Sequence, residues 1–131
     1  MKPEKLIELA KQAMENAYAP YSGYKVGAAL LCADGTVYTG CNIENAAYSP
    51  TVCAERTAVF KAVSQGCREF TAIAICGGKN GEITGFFPPC GVCRQVLREF
   101  CKDDFAVYLA GPAGQYQTRT LAQLLPDSFS L

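Results

Sequence analysis

The sequence predicts a single layered α/β domain. Segments with the 3.6-residue apolar period of a helix alternate with short, almost wholly apolar runs of the kind that form central strands. No linker, internal repeat or low-complexity segment divides the 131 residues, a length typical of one domain with its own core. Because alternating helices and strands pack as helices against a sheet, we expect residues 1–131 to form one unit.

The N-terminal third is predicted to form a helix and a β-hairpin. Residues 3–18 carry their apolar side chains on one helical face. Residues 24–32 have apolar side chains at both alternating sets of positions, which is typical of a strand covered on both faces. The Asp34-Gly35 pair predicts a hairpin turn, from which the chain returns as a strand at residues 37–41.

The middle of the chain is predicted to hold a loop, a helix and a buried strand. Residues 42–50 are polar and lack a helical period, which favours a surface loop. A helix is expected from residue 51 or 52 to about residue 65, and Gly66 ends it. The apolar run 71–76 is typical of a central strand, and the glycine-rich residues 77–87 are predicted to be a connection.

The C-terminal third adds two strands and two helices to the prediction. A helix follows Pro89 and directs apolar side chains inward, and residues 105–110 form a further apolar strand. Residues 116–119 are less apolar, which favours an edge strand. Thr120 and Gln123 match a capping box that opens a short final helix.

Composition argues against several classes of protein. Twelve basic residues balance twelve acidic ones, so the chain offers no basic surface to a polynucleotide bound through many phosphates. No apolar run approaches the roughly 18 residues of a membrane helix, and the charged N-terminal segment differs from a secretory signal. We therefore expect a cytoplasmic protein with neither a nucleic-acid nor a membrane partner.

The absence of histidine narrows the possible chemistry further. Ser-His-Asp and Cys-His nucleophile systems within the chain are excluded, and so is any metal ligated by histidine. In a reducing cytoplasm the eight cysteines are expected to be free thiols or metal ligands rather than disulfides. Glu, Asp, Lys, Tyr and Cys side chains remain to move protons.

Two short motifs at predicted helix starts carry candidate metal ligands. One is the segment 53–56, Cys-Ala-Glu-Arg, and the other is the segment 88–94, Pro-Pro-Cys-Gly-Val-Cys-Arg. Zinc favours thiolate ligands in tetrahedral geometry, and a catalytic zinc site keeps one position for water. Cys53, Cys90 and Cys93 therefore indicate one zinc ion with an open position. A redox dithiol or a structural zinc remains an alternative, because a lone C-x-x-C also suits both.

The same motifs indicate how an anionic metal centre would be stabilised. Helix starts present unpaired N–H groups and a positive dipole end, which favour thiolates. Three thiolates on Zn²⁺ leave a net negative charge, which opposes ionisation of a bound water. Arg56 and Arg94 are candidates to offset this charge by donating hydrogen bonds to the sulfurs, although Arg56 alone could be an ordinary exposed helix charge. Glu55 is the acid within these motifs that is free to transfer a proton.

Together the motifs resemble the zinc-dependent cytidine deaminases, in the small homotetrameric branch of nucleoside salvage that uses cysteine as the first ligand. The resemblance covers nearly the whole chain and includes residues 19–22, residues 40–46, and Leu124-Leu125-Pro126 followed by Phe129. It implies a three-layer α/β/α sandwich around a mixed, roughly five-stranded sheet. It also implies one Zn²⁺ per subunit, and hydrolysis of cytidine and deoxycytidine by a zinc-bound hydroxide with Glu55 as proton shuttle.

The resemblance further implies a set of substrate contacts. Asn42 and Glu44 would bind ribose hydroxyls, Tyr24 stands where the family usually stacks a Phe on the base, and the main chain at Ala54 would contact the base. Three residues would line the site of a neighbouring subunit: Ala46, Tyr48 and Phe129. Taken singly, Glu44 would equally suit loop solvation, Tyr24 a strand-edge aromatic and Phe129 a core plug.

Three rival functions stay open from the sequence. A deaminase of an aminopyrimidine antibiotic such as blasticidin S would use the same framework. A zinc-stabilised binding or redox module would hold a fully coordinated zinc, or titrate as a dithiol, and would release no ammonia. A polynucleotide editor would need a basic groove, which the charge balance does not supply.

Overall fold

The computed structural model describes residues 1–131 as four α-helices and six β-strands. In chain order these are α1 (Pro3–Met14), β1 (Lys25–Cys32), β2 (Val37–Cys41), α2 (Ala54–Ser64), β3 (Phe70–Lys79), β4 (Glu82–Gly85), α3 (Gly91–Phe100), β5 (Ala106–Ala110), β6 (Tyr116–Thr120) and α4 (Leu121–Leu124). None of the helices combines the length and the apolar character that crossing a membrane requires.

The strands form one mixed sheet in the order β2-β1-β3-β5-β6. β1 pairs antiparallel with β2 and with β3, whereas β3 and β5 are parallel and are joined through α3. β6 pairs antiparallel with β5 and lies at the edge, as the sequence predicts. β4 pairs with the last residues of β3, so the sheet has six strands where about five are predicted.

Helices cover both faces of this sheet, which confirms the predicted three-layer α/β/α sandwich. On one face α1 packs through Leu6, Ala10 and Met14 against side chains such as Ala29 and Ala74. On the opposite face the residues that meet α2 and α3 form the larger core cluster, which includes Ala28, Leu30, Val59, Ile73, Ile75, Leu97 and Val107. Since successive strand residues point to opposite faces, the apolar runs are buried from both sides.

Two glycines let helices lie directly against strands. A Cβ at Gly27 in β1 would lie 2.6 Å from the Met14 nitrogen of α1. A Cβ at Gly40 in β2 would lie 2.5 Å from the Ala58 nitrogen and 2.6 Å from the Ala54 carbonyl oxygen of α2. Because all three of these atoms belong to the backbone, no side-chain movement could relieve the contacts, and Gly40 therefore sets how closely α2 approaches the sheet.

The prediction that residues 77–87 form only a connection is wrong. β3 continues through Gly77 and Gly78 to Lys79, and the chain then turns at Asn80-Gly81 and returns as β4. Asn80 and Gly81 both have positive φ, 55° and 76°, as a tight hairpin turn requires. Gly78 leaves no room for a side chain, because its Cβ would meet the Glu82 carbonyl. Gly77 and Gly78 therefore lie at points of close contact inside β3 and do not end the strand.

Other boundaries differ by a few residues from the prediction. α1 ends at Met14 instead of residue 18, and Tyr18 pairs instead with Ile43 in an isolated bridge. α2 begins at Ala54, with Cys53 as its N-cap. The capping box at Thr120 is present, since the Thr120 hydroxyl accepts from the Gln123 N–H and the Gln123 side chain accepts from the Thr120 N–H.

Candidate metal centre

The N-termini of two helices bring three thiols together. Cys53 is the N-cap of α2, Cys90 is the N-cap of α3, and Cys93 lies in the first turn of α3. Cys93 is buried, Cys53 is half-buried and Cys90 is exposed, so the cluster opens on one side. Both helix ends direct the positive ends of their dipoles at the sulfurs, which favours the thiolate form.

The spacing of the sulfurs fits a tetrahedral metal ion. The Sγ atoms of Cys53 and Cys90 are 3.8 Å apart, those of Cys90 and Cys93 are 3.6 Å apart, and all three lie within 4.8 Å of one another. Zn–S bonds of about 2.3 Å at tetrahedral angles require about 3.8 Å between sulfurs. The donor set and its dimensions therefore suit zinc, and three protein ligands leave a fourth position free.

Arg56 bonds to two of these sulfurs. Its Nε donates to Cys93 Sγ and its Nη2 donates to Cys53 Sγ, both at 3.4 Å. The pKa of Cys53 is lowered to about 5 by a hydrogen bond from the Cys93 thiol and by the bonds from Arg56 and Cys90, against an opposing effect of burial. The pKa of Cys93 is correspondingly raised, because that thiol donates to Cys53 and is itself buried. Arg56 thus stabilises negative charge on the cluster.

Arg94 does not reach the sulfurs, so the expectation that it donates to them is wrong. Its Nε donates to the Pro89 carbonyl at 2.7 Å and its Nη1 donates to the Leu124 carbonyl at 2.6 Å. These two acceptors lie on the segment before Cys90 and at the end of α4. Arg94 therefore fixes the chain that leads into the second motif and acts on the cluster only through that backbone.

Glu55 is the one charged residue that the fold buries. Its side chain lies in the first turn of α2, beside the thiols, and is 4% exposed. Burial is the main cause that raises the pKa of Glu55 to about 7, and the negative charge of Cys53 adds to it while Arg56 opposes it. A carboxyl group with a pKa near neutrality can both accept and return a proton.

A cavity of about 280 Å³ opens beside the thiols and Glu55. Its wall is largely apolar, with contributions from Val26, Ala54, Phe87 and Pro88. A larger depression of about 700 Å³ lies between α1 and the turn at residues 110–116, but no cysteine lines it. We regard the smaller cavity as the site, because an apolar wall with a few convergent polar groups is the usual form of a small-molecule pocket.

Asn42 and Glu44 supply polar groups on the cavity wall. Hydrogen bonds to residues 21–26, at the start of β1 and just before it, fix both side chains. The Asn42 amide accepts from the Val26 N–H at 2.8 Å and donates to the Tyr24 carbonyl at 2.9 Å. The Glu44 carboxylate accepts from the Tyr21 N–H at 2.9 Å, the Ser22 N–H at 3.1 Å and the Ser22 hydroxyl. The Ser22 hydroxyl is the main cause that keeps the pKa of Glu44 below its ordinary value. Both groups retain unused hydrogen-bonding capacity.

Tyr24 lies at the rim of the cavity, 43% exposed, and not in its wall. Its ring contacts that of Phe87 at a centroid distance of 5.9 Å, and the Lys79 ammonium lies 4.3 Å from the Tyr24 ring centre. The three residues expected to serve a neighbouring subunit are all exposed and lie outside the cavity: Ala46, Tyr48 and Phe129. A single chain does not bring them to the site.

Phe87 is the aromatic wall residue that sequence reasoning missed, and four further wall residues were not singled out either: Val26, Thr51, Val52 and Pro88. The Phe87 ring lies flat against Gly77, where a Cβ would come within 2.7 Å of the ring. A sequence signal was present, because two phenylalanines immediately precede the Pro-Pro-Cys motif. The place of Phe87 in the cavity wall follows only once β3 extends to Gly77, whereas the sequence predicts a strand that ends at residue 76.

Comparison with known proteins agrees with this geometry. The family model for the cytidine and deoxycytidylate deaminase zinc-binding region matches residues 1–109. A cytidine deaminase from Sporosarcina psychrophila is 55% identical over 130 residues, which is 99% of this chain and 93% of that protein. One from Halalkalibacterium halodurans is 50% identical over 130 residues, covering 99% and 96% respectively.

Solved structures show the same likeness in three dimensions. A crystal structure of cytidine deaminase from Burkholderia pseudomallei superimposes with a TM-score of 0.90 at 49% identity, covering 98% of this chain and 100% of that chain. The cytidine deaminase of Mycobacterium tuberculosis superimposes with a TM-score of 0.84 at 40% identity, covering 100% and 99%. These matches confirm the predicted resemblance and the predicted zinc-binding character. The chain belongs to the family of zinc-binding cytidine and deoxycytidylate deaminases.

Proposed function

We propose that the protein hydrolyses cytidine, and also deoxycytidine, to the corresponding uracil nucleoside and ammonia. The observation that carries this proposal is the buried Glu55 carboxyl, which lies beside three thiols and faces an apolar cavity. The relatives named as cytidine deaminases support the same reaction and favour it over deamination of a blasticidin-type antibiotic, over a redox dithiol and over a purely structural zinc. We place this activity in the cytoplasm, where free thiols persist.

Cys53, Cys90 and Cys93 would hold one Zn²⁺ per subunit, since their sulfurs have the required spacing. When bound, zinc supplies a Lewis acid that makes water nucleophilic near neutral pH. The N–H groups of Arg56 would draw charge from two of the thiolates and so preserve the Lewis acidity of an otherwise anionic centre.

Glu55 would carry the protons of the reaction. It accepts a proton from the attacking water and passes it to N3 of the pyrimidine, while the water oxygen bonds to C4. It then takes the remaining proton of that oxygen to the amino group, the C4–N bond breaks, ammonia leaves, and the oxygen stays as the C4 carbonyl. Burial of Glu55 keeps these transfers away from bulk water, and its pKa of about 7 suits both directions.

The cavity wall would orient the nucleoside. Asn42 and Glu44 keep free lone pairs and N–H capacity that match ribose hydroxyls, and the carboxylate stays ionised because Ser22 and Tyr21 already donate to it. The Ala54 main chain and the aromatic pair Tyr24 and Phe87 would meet the base. Three exposed residues would complete the cavity of a neighbouring subunit in a homotetramer: Ala46, Tyr48 and Phe129.

The substitution Glu55→Gln tests the proton role. It keeps the shape of the side chain but cannot exchange protons, so kcat for cytidine should fall by about 10²–10⁴-fold. Absorbance loss on adding cytidine measures turnover, and zinc content with circular dichroism checks the metal and the fold. Glu8→Gln, which changes an exposed glutamate on α1, is the matched control and should leave turnover unchanged. Retention of more than about a tenth of the activity in Glu55→Gln would contradict the role.

Substrate choice is tested separately by steady-state rates on cytidine, deoxycytidine and blasticidin S. We expect comparable kcat/KM for the two nucleosides and a much lower value for the antibiotic. A preference for the antibiotic would refute the nucleoside assignment while leaving the roles of zinc and Glu55 intact.

A further inference from the structure

A second group of metal-ligating side chains lies away from the three-thiol cluster. The ligand atoms of Cys32, Asp34 and Cys67 all lie within 4.8 Å of one another. Cys67 follows the C-terminus of α2, whereas Cys53 caps the N-terminus of the same helix. Eleven helical residues at 1.5 Å each separate the two groups by about 16 Å, so they cannot share one ion.

Hydrogen bonds fix each of the two segments that carry these three residues. The Gly35 N–H donates to the Cys32 carbonyl at 3.0 Å, and the Asp34 side chain accepts from the Thr36 N–H at 2.9 Å, which fixes the β1–β2 turn. The Cys67 N–H donates to the Ala62 carbonyl at 2.9 Å across the end of α2.

A further bond ties the two segments to each other, because the Ala33 N–H donates to the Glu69 carbonyl at 2.8 Å. The sheet is also irregular here: Leu31 pairs with Ala72 but Cys32 pairs with Phe70, which leaves one extra residue on β3. The positions of the three side chains are therefore set by the fold and not by a flexible surface.

The donor atoms match a soft cation. Two thiols and one carboxylate suit Zn²⁺ or Cd²⁺, whereas Mg²⁺ and Ca²⁺ prefer oxygen ligands alone. Cys32 is 1% exposed, which holds one sulfur in a fixed place, while Cys67 is half-buried and Asp34 is exposed. An open cavity of about 370 Å³ borders Asp34 and Cys67 and also receives Glu69, so a fourth position is accessible to water or to that carboxylate.

The charges around this group also favour a cation. The C-terminal end of α2 presents the negative end of its dipole, which stabilises positive charge nearby. Asp34 and Glu69 add negative charge in the same cavity, and Arg68 is there to offset the surplus once the thiols ionise. We propose that Cys32, Asp34 and Cys67 form a second binding site for a soft divalent cation, Zn²⁺ or Cd²⁺, that ties the β1–β2 turn to the end of α2.

Zinc stoichiometry tests this site independently of turnover. The zinc-loaded protein is equilibrated with buffered Zn²⁺, separated from free metal, and assayed for zinc per chain. We expect a second equivalent in the native protein, its loss in Cys67→Ser, and at least a tenfold weaker second equivalent in Asp34→Asn, which keeps the turn hydrogen bond. Cys41→Ser and Asp104→Asn are matched controls outside the group and should retain it.

Melting temperature provides a second measurement. The second equivalent should raise the melting temperature of the native protein and of both controls but not that of Cys67→Ser. Cytidine turnover should be unchanged in Cys67→Ser, so loss of the second zinc is distinguishable from failure of the proposed activity. A second equivalent that persists in Cys67→Ser, or its absence in the native protein, would overturn the proposal. A disulfide between Cys32 and Cys67, identified by mass spectrometry of peptides from the unreduced, metal-free protein, would also overturn the proposal.

Discussion

Arg56 donates both of the side-chain N–H groups that bond to the three-thiol cluster. A planar guanidinium can serve two sulfurs at once, whereas an ammonium acts as one compact charge. Without these bonds the thiolates would hold more charge, the metal would be a weaker Lewis acid, and the first turn of α2 would lose a tie to Cys93. The side chain therefore joins the electrostatics of the site to its geometry.

We predict that Arg56→Gln lowers zinc affinity and kcat by about 10–100-fold each, as is typical when a group that bonds to metal ligands is removed. The zinc affinity and kcat of Arg56→Lys should lie between those of the native protein and those of Arg56→Gln. Lysine restores the positive charge but cannot donate to both sulfurs in the fixed geometry of a guanidinium. Competition with a chromogenic chelator measures affinity. Arg119→Gln on the edge strand β6 is the control. Native zinc affinity in Arg56→Gln would show that the N–H···S bonds have no influence on the metal.

Single residues could be predicted from the sequence where their partners are close along the chain. Cys90 and Cys93 are three positions apart, and Cys53 and Glu55 two, so helix geometry alone brings each pair to a helix start. The sequence does not predict the observed acceptors of Arg94, because one of these acceptors, the Leu124 carbonyl, is 30 positions away. Such a contact exists only once α3 and α4 are packed.

At the scale of elements, the position of α2 decides whether Cys53 and Glu55 face the cavity. α2 lies directly on β2 at Gly40, where the nearest atoms are the Ala54 carbonyl and the Ala58 N–H of the helix. The loop that leads into the helix is held by the Ile43 and Val52 pair, and the Thr57 hydroxyl donates to the Cys41 carbonyl at 3.0 Å. Sheet and helix thus form one support for the first motif.

We predict that Gly40→Ala destabilises the protein by about 3 kcal/mol, at the upper end for an overpacked core, because backbone atoms cannot move aside locally. The helix must shift outward, so zinc affinity should fall as well. Urea unfolding measures the first effect and chelator competition the second. Gly85→Ala in β4, where a Cβ meets nothing within 4 Å, should change stability by only about 0.5 kcal/mol. Equal effects of the two substitutions would refute the close-approach argument.

Most elements could be predicted from periodicity, and the one that could not is instructive. β1, β2, β5 and β6 carry clear apolar runs or turn signals, and their positions agree with the prediction to within one residue. The sequence does not predict β4, because this strand is only four residues long and is half-exposed. It is also preceded by glycines, which usually end strands. Those glycines serve instead to admit the Phe87 ring and the Glu82 carbonyl, a requirement that only tertiary packing creates.

At the scale of the whole molecule, the single chain leaves large apolar side chains on its surface. Phe60 is 52% exposed, Val92 58%, Tyr48 78% and Phe129 69%. Phe60 and Val92 border a shallow apolar depression beside α3, and Gln95 of that helix donates to the Phe129 carbonyl at 3.4 Å. A contiguous apolar patch often marks a protein–protein contact, and Phe60 and Val92 share one such depression. It supports the proposed homotetramer in which the tail of one subunit closes the cavity of another.

Subunit mixing tests this arrangement. Phe129→Ala should lower kcat/KM for cytidine by leaving a neighbouring cavity open, whereas Leu131→Ala, a control at a more exposed position of the same tail, should not. The test refolds Glu55→Gln subunits together with Phe129→Ala subunits. If Phe129 acts across an interface, some sites combine the native Glu55 of a Phe129→Ala subunit with the native Phe129 of a neighbouring Glu55→Gln subunit. Random assortment in equal amounts restores about a quarter of the sites. Activity of the mixture equal to the mean of the two separate variants would place Phe129 in its own subunit's structure and refute the shared cavity.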